Sequence, residues 1–307
     1  MKRILFIFLL IISSVLLLSC KSNNTGEFYC FNDSLVNSIK LDHKPTKVAV
    51  LFSSFTEIWE IAGGTTSITV QESIDRNIVN NDVLIVDNGA GKNINIELLI
   101  SYKPDFVICS SDIESQIDVY NTLKNTNIPC CLFRVDNFND YLNVLNILTD
   151  ITEQKENYKK YGLDIKEQIN QLLNRVNDKN NKKILFIRAA SSAKSTKAKA
   201  PSQHFVAMML KELGTINIAE NAPILLDGLS IEEILKQDPD YIFISVMGDF
   251  EKGKNYIETL FSSSIYQSLD AVNNNRYYFL EKELFQYKPN HNWYNAYLKL
   301  WEILNYE

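Results

Sequence analysis

The stretch ELLISYKPDFVICSS, residues 97–111, is written a second time as EEILKQDPDYIFISV, residues 232–246. Each copy opens on a glutamate, Glu97 or Glu232, and continues with apolar residues at helical spacing. Each reaches a Pro-Asp pair seven residues on, at Pro104 and Pro239, and then enters a short apolar run. Proline pushes the residue before it out of the α region, so a helix stops there. The run that follows has the length and composition of a buried strand. A helix delivering the chain into a buried strand is the second half of a βαβ unit. A chain that holds this unit twice, far apart, is predicted to fold as two α/β halves.

The surrounding sequence agrees. VAVLFSS (48–54), VLIVD (83–87), FVICSS (106–111) and CCLFRV (130–135) read as strands in the first half. KILFIRA (183–189), INIA (216–219), YIFISV (241–246) and YYFL (277–280) read as strands in the second. Helical patterns such as FTEIWEIAG (55–63), INIELLISY (94–102) and HFVAMMLKELG (204–214) lie between them. Continuous apolar strands alternating with helices imply mainly parallel sheets covered by helices on both faces. Between the halves Thr152 is placed to cap one long helix from Glu153 to Val176. Its apolar stripe is Tyr158, Tyr161, Ile165, Ile169, Leu172 and Leu173. The predicted fold class is α/β: two lobes, each with a mainly parallel sheet covered by helices, joined by one long backbone helix. The length of 307 residues suits two domains.

The N-terminus reads differently. Lys2 and Arg3 precede an apolar run from Ile4 to Leu18, shorter than the roughly 20 residues that cross a bilayer as a helix. Leu17-Leu18-Ser19-Cys20 follows, and the pattern is that of an export signal. The formal net charge is −6 and no long basic run is present, so nucleic acid is not an expected partner. Beyond Cys20, Cys30, Cys109, Cys130 and Cys131 show neither CxxC nor zinc spacing, and read as small buried apolar residues. Three histidines, none paired at helical spacing, argue against a dedicated metal site. No GxSxG elbow is present, and GAGKN (89–93) lacks the spacing and the Ser/Thr of a P-loop. No catalytic residues, cofactor or enzyme activity are expected.

KPTKVAVLFSSFTEIWEIAGG, the two Pro-Asp units and the tail NNNRYYFLEKELFQYKPNHNWYNAYLKL together resemble the substrate-binding proteins of ABC importers for iron–siderophore complexes, haem and vitamin B12. EFYCFNDSLVNSIKL is similar to the N-terminal hairpin of that family, with Val36-Asn37 near its usual turn glycine, and LLSC resembles a bacterial lipobox. The resemblance covers residues 28–305 and implies a ligand cleft between two lobes with little hinge motion. The corresponding divisions are a lipoprotein signal peptide (1–19), a tether (20–27), an N-terminal α/β lobe (28–138), a linking helical segment (139–180) and a C-terminal α/β lobe with a C-terminal helix (181–307). Lipidation is expected at Cys20, which would hold a monomer outside the cytoplasm on a bacterial membrane. The resemblance further implies an ABC permease dimer with its ATPase as partner, engaged by Glu97 and Glu232. A surface lipoprotein sensor or adhesin without a transporter is the alternative.

Candidate ligand-binding residues come from the loops after strands, because polar residues at the carboxyl ends of parallel strands line crevices. In the first half they are Ser53, Ser54, Phe55 and Trp59, with Asn88 and Gly89 after VLIVD. In the second half they are Arg188, Ser191, Ser192, Met247, Tyr287 and Trp293. Arg188 ends an apolar strand, where an unpaired charge is costly to bury, and so points to an acidic ligand. A small-molecule metal chelate is the expected ligand: an iron–siderophore first, a corrinoid or haem next.

Overall fold

Both Pro-Asp units make the same knot. A computed structural model describes residues 27–88, 93–176 and 181–305. Its strands are β1 (Tyr29–Asn32), β2 (Ser38–Leu41), β3 (Val48–Val50), β4 (Thr66–Thr69), β5 (Leu84–Ile85), β6 (Phe106–Ser110) and β7 (Cys130–Phe133), then β8 (Lys183–Ala189), β9 (Lys197–Ala198), β10 (Ile216–Asn217), β11 (Tyr241–Val246) and β12 (Tyr277–Phe279). The residues before the two prolines, Lys103 and Asp238, take φ of 50° and 45°, a left-handed turn sharper than proline alone requires. Asp105 then accepts from Lys47 N at 2.9 Å and returns a bond from its own N to Lys47 O at 3.1 Å. Asp240 does the same with Lys183, at 2.7 and 2.8 Å. Each aspartate thus pins the start of its own strand, β6 or β11, beside the start of β3 or β8. The repeat is a register clamp used once per lobe.

The sheets that follow share an order. The first is β5-β4-β3-β6-β7, parallel throughout. The second runs β10-β8-β11-β12, also parallel, with the short β9 antiparallel on β8. The β1–β2 hairpin stands apart from both sheets. Its turn is closed by the buried Asp33 carboxylate, which accepts from Leu35 N, Asn37 N and Leu132 N, so it is stitched to β7.

Helices cover both faces, and the apolar residues divide accordingly. Cys131 belongs to the core shared by the two lobes and Cys130 to the outer core of the first lobe, as alternation along β7 requires. The Cys109 and Cys130 thiols lie 3.7 Å apart and are free. Their strands are offset by two residues at that contact. Diagonal neighbours stand about 7–8 Å apart at Cα, too far for a relaxed disulfide. The shared core runs continuously from Phe106 and Phe133 through Phe138 and Trp293 to Phe205 and Phe243. The Trp293 ring contacts Phe138 and Phe205 at centroid distances of 6.0 and 5.7 Å.

The connection between the sheets departs from one unbroken helix starting at Glu153. A first helix, Phe138–Thr152, ends where Glu153 turns left-handed at φ 61°. Thr152 does not cap the next helix. Its hydroxyl donates instead to Ala62 O at 2.5 Å and fastens the helix end to the first lobe. A second helical run follows from Lys155 to Leu173, with a π-turn over Lys159–Leu163. Gly162 sits in that turn, where a Cβ would stand 3.0 Å from the Leu142 methyl, so a larger residue there would push against the first helix. Ile165, Ile169 and Leu172 of the expected stripe are buried. Among the described residues no helix is long and apolar enough to cross a membrane.

Candidate ligand cleft between the lobes

A cleft of about 700 Å³ opens at the carboxyl edges of the two sheets. The first lobe contributes Phe52, Val70, Glu72, Asn93, Asp112, Ile113, Glu114, Ser115 and Asp118; the second contributes Arg188, Met247, Gly248, Gln286, Tyr287 and Lys288. Of the residues expected from sequence, the structure brings together Arg188, Met247 and Tyr287 in this lining. Ser53 and Ser54 are buried just behind it, in the first turn of the helix Ser53–Ile61. Phe55, Trp59 and Trp293 are enclosed in the core and do not line the cleft. Trp59 is pinned because Gly64 folds onto its indole, where a Cβ would stand 2.0 Å from the ring. Ser191 and Ser192 are exposed on the loop after β8, Asn88 is exposed after Asp87, and Gly89 lies outside the described residues.

Arg188 closes β8, half-buried, beside Ser245 of β11 and Lys197 of β9. Burial pulls its guanidinium below its ordinary range. It makes no ion pair or side-chain hydrogen bond among the described residues. Lys288 is almost covered, its side chain 17% exposed, with its ammonium 5.6 Å from the Phe205 ring and 3.9 Å from Asp136. Burial lowers its pKa, against the pull of Asp112 and Asp136. Behind these cations lies His204, capping the helix Phe205–Glu212. Its Nδ1 accepts from Val206 N at 3.2 Å and its ring stacks on Phe205. Burial, then Arg188, Lys288 and Lys199, hold it well below the usual histidine range, so it caps as the neutral ring.

Below the cleft floor a second set of charges is paired within the protein. The Arg76 side chain is 7% exposed and bonds Glu57 at 3.0 Å and Ser53 Oγ at 3.2 Å. Its guanidinium lies 4.0 Å from the ring centre of Tyr287, which comes from the other lobe. Asn290, buried at a left-handed φ of 52°, donates to Ser54 O at 2.9 Å and to Glu57 at 3.0 Å. His291 Nδ1 stands 3.1 Å from Glu57. This cluster ties the tail of the chain to the first lobe and aims Tyr287 at the cleft. Arg76, Glu114, Asp118 and Lys288 were not read from sequence. Their only local signal is that Glu114 and Asp118 share one face of the helix Glu114–Leu123.

The described residues form two α/β lobes with a cleft at the carboxyl edges of both sheets. The chain belongs to the periplasmic binding protein family, whose sequence model matches residues 48–284. No curated protein matches it. Among solved structures it is similar to an ABC transporter substrate-binding protein from Listeria monocytogenes, with 19% identity over 86% of this chain and 100% of the other, TM-score 0.70. It is similar to Staphylococcus aureus SirA complexed with staphyloferrin B, with 17% identity over 91% and 99%, TM-score 0.71. It also resembles the periplasmic vitamin B12 binding protein BtuF of Vibrio cholerae, with 19% identity over 85% and 97%, TM-score 0.68. At such identities these likenesses show the fold.

Proposed function

We propose that this protein is the extracytoplasmic substrate-binding lipoprotein of an ABC importer, and that its cleft captures a chelated-metal compound. An iron–siderophore is the first choice, a corrinoid or haem the next. The observation that carries this is Arg188: a half-buried guanidinium in the inter-lobe cleft with no anion of its own. An unpaired buried charge is costly, and a bound acidic ligand removes that cost. The family and the ligands of similar proteins, staphyloferrin B and vitamin B12, support the class.

Delivery is assigned to Glu97 and Glu232. Each is exposed in the first turn of a short helix, Ile96–Ser101 or Ile231–Gln237. Each helix feeds β6 or β11, and a helix leading into a parallel strand starts toward the carboxyl edge, which supports placing both glutamates on the side where the cleft opens. Neither carboxylate has a side-chain partner among the described residues, and each is free to meet a basic group on a permease subunit. Cys20 lies outside the described residues; its LLSC context supports acylation and a membrane tether.

The test is native mass spectrometry of the protein without its leader, after exposure to supernatant from an iron-limited culture. Wild type should retain an adduct with an iron isotope pattern, and Arg188→Gln should lose most of it. No adduct, or the same adduct in both proteins, contradicts the proposal.

A further inference from the structure

The cleft is divided by charge along the boundary between the lobes. Every ionisable carboxylate in its lining, Glu72, Asp112, Glu114 and Asp118, comes from the first lobe, and both cations, Arg188 and Lys288, come from the second. Internal pairing consumes part of this. Asp112 faces Arg134 at 3.4 Å, Glu72 accepts from Ser53 Oγ at 2.5 Å, and Lys288 approaches Asp136. Arg188 on one wall, and Glu114 and Asp118 on the other, are left with no ion pair or side-chain hydrogen bond among the described residues.

Two features argue that this is not incidental. Glu114 and Asp118 stand four apart on one helix, where like charges repel. The helix dipole favours Glu114 in the first turn, but Asp118 lies a full turn further in, beyond that effect. The lobes are also joined by a continuous core and by the Arg76 cluster, so the opposed charges are not free to close on each other. A ligand that is only anionic leaves Glu114 and Asp118 facing repulsion, and one that is only cationic meets Arg188 and Lys288.

We propose that the cleft is built for an amphoteric chelate, with ionised acid groups turned toward Arg188 and Lys288 and a protonated amine turned toward Glu114 and Asp118. This rests on the assignment of the cleft as a chelate site.

The test is calorimetric titration at pH 7 and low salt with three matched ferric hydroxycarboxylate chelates. One carries a free carboxylate and a free primary amine, one is its N-acetyl derivative, and one its methyl ester. Wild type should bind the free form at least tenfold more tightly than either derivative. In Glu114→Gln/Asp118→Asn the N-acetyl discrimination should fall below threefold while that against the ester persists. Arg188→Gln should show the reverse. These positions are not part of the closed core, and circular dichroism checks the fold of each variant. If acetylation leaves wild-type affinity unchanged while esterification weakens it, the acidic wall takes no part and the amphoteric assignment is overturned, though chelate capture stands. If wild type binds none of the three, chelate capture fails and this inference with it.

Discussion

Arg76 and Arg188 are both withdrawn from solvent, one below the cleft and one in it, and they are treated in opposite ways. Arg76 has a carboxylate, a serine hydroxyl and an aromatic face. Arg188 has none of these among the described residues. Breaking a buried ion pair leaves an uncompensated charge, whereas removing an unpaired one leaves nothing behind. The first arginine therefore belongs to the architecture and the second to a molecule not made by this chain. The same contrast separates the internally bonded polar floor, Ser53, Ser54, Glu57 and the Asn290 amide nitrogen, from the open charges of the cleft walls.

The largest effect should come from the floor. Arg76→Ala strands Glu57 against Asn290 and His291, and should lose about 3–5 kcal/mol in urea unfolding. Arg76→Met/Glu57→Met should recover much of that loss, because the charges go together. A loss under about 1 kcal/mol for Arg76→Ala would erase the contrast.

The register clamps come next. Asp240→Ala and Asp105→Ala should each lose about 1–3 kcal/mol, the range for removing a charged acceptor from backbone donors. Asp105, which also takes Thr46 N and Oγ1, should lose more. Equal losses would mean that only the bond to the lysine N–H matters.

A smaller effect is expected from His204. Its folded-state pKa is depressed, so the unfolded chain binds the extra proton first. Its contribution to stability is whole above the unfolded value of about 6.5 and is lost as pH falls below it. Between pH 7.5 and 5.5 wild type should lose on the order of 1 kcal/mol more than His204→Asn, which keeps a capping acceptor without the titration. Parallel losses would mean that burial and the nearby cations do not depress the ring's titration in the folded protein.

The smallest effect on stability should come from Glu97→Ala/Glu232→Ala, whose melting temperature and ligand affinity should match wild type while cellular uptake falls at equal expression. Normal uptake would leave the repeated unit as a folding element only.

The division between architecture and ligand site was only partly legible in sequence. β8 and β11 match KILFIRA and YIFISV to the residue, because long β-branched and aromatic runs have no other use in a soluble lobe. β4, Thr66–Thr69, gave no such signal. Its Thr69 hydroxyl is satisfied inside, by Val50 O and Ser73, so a polar residue passes as core. The break at Glu153 was also hidden, since a glutamate at positive φ has no compositional mark. In the cleft, the rule of loops after strands found Arg188 and Met247, both at strand ends in the chain, and Tyr287, which follows the short helix Lys282–Phe285. It misplaced Trp59, which only the approach of Gly64 explains. It could not find Arg76, whose neighbours Tyr287, Asn290 and His291 lie far along the chain; the bond from Asn290 to Ser54 joins residues 236 positions apart. Pairing over that distance leaves no local pattern.

The most direct test is thermal unfolding of Arg188→Met and Arg76→Met beside wild type, with and without the ferric chelate captured by wild type. Arg188→Met should melt at or above the wild-type temperature without ligand, since an unpaired charge leaves a half-buried site. It should lose most of the ligand-induced rise, which for wild type corresponds to about 2.7 kcal/mol at a hundredfold excess over Kd. Arg76→Met should melt several degrees lower without ligand. If Arg188→Met is destabilised as much as Arg76→Met, or keeps the full rise with ligand, Arg188 is structural and the account of the cleft is contradicted.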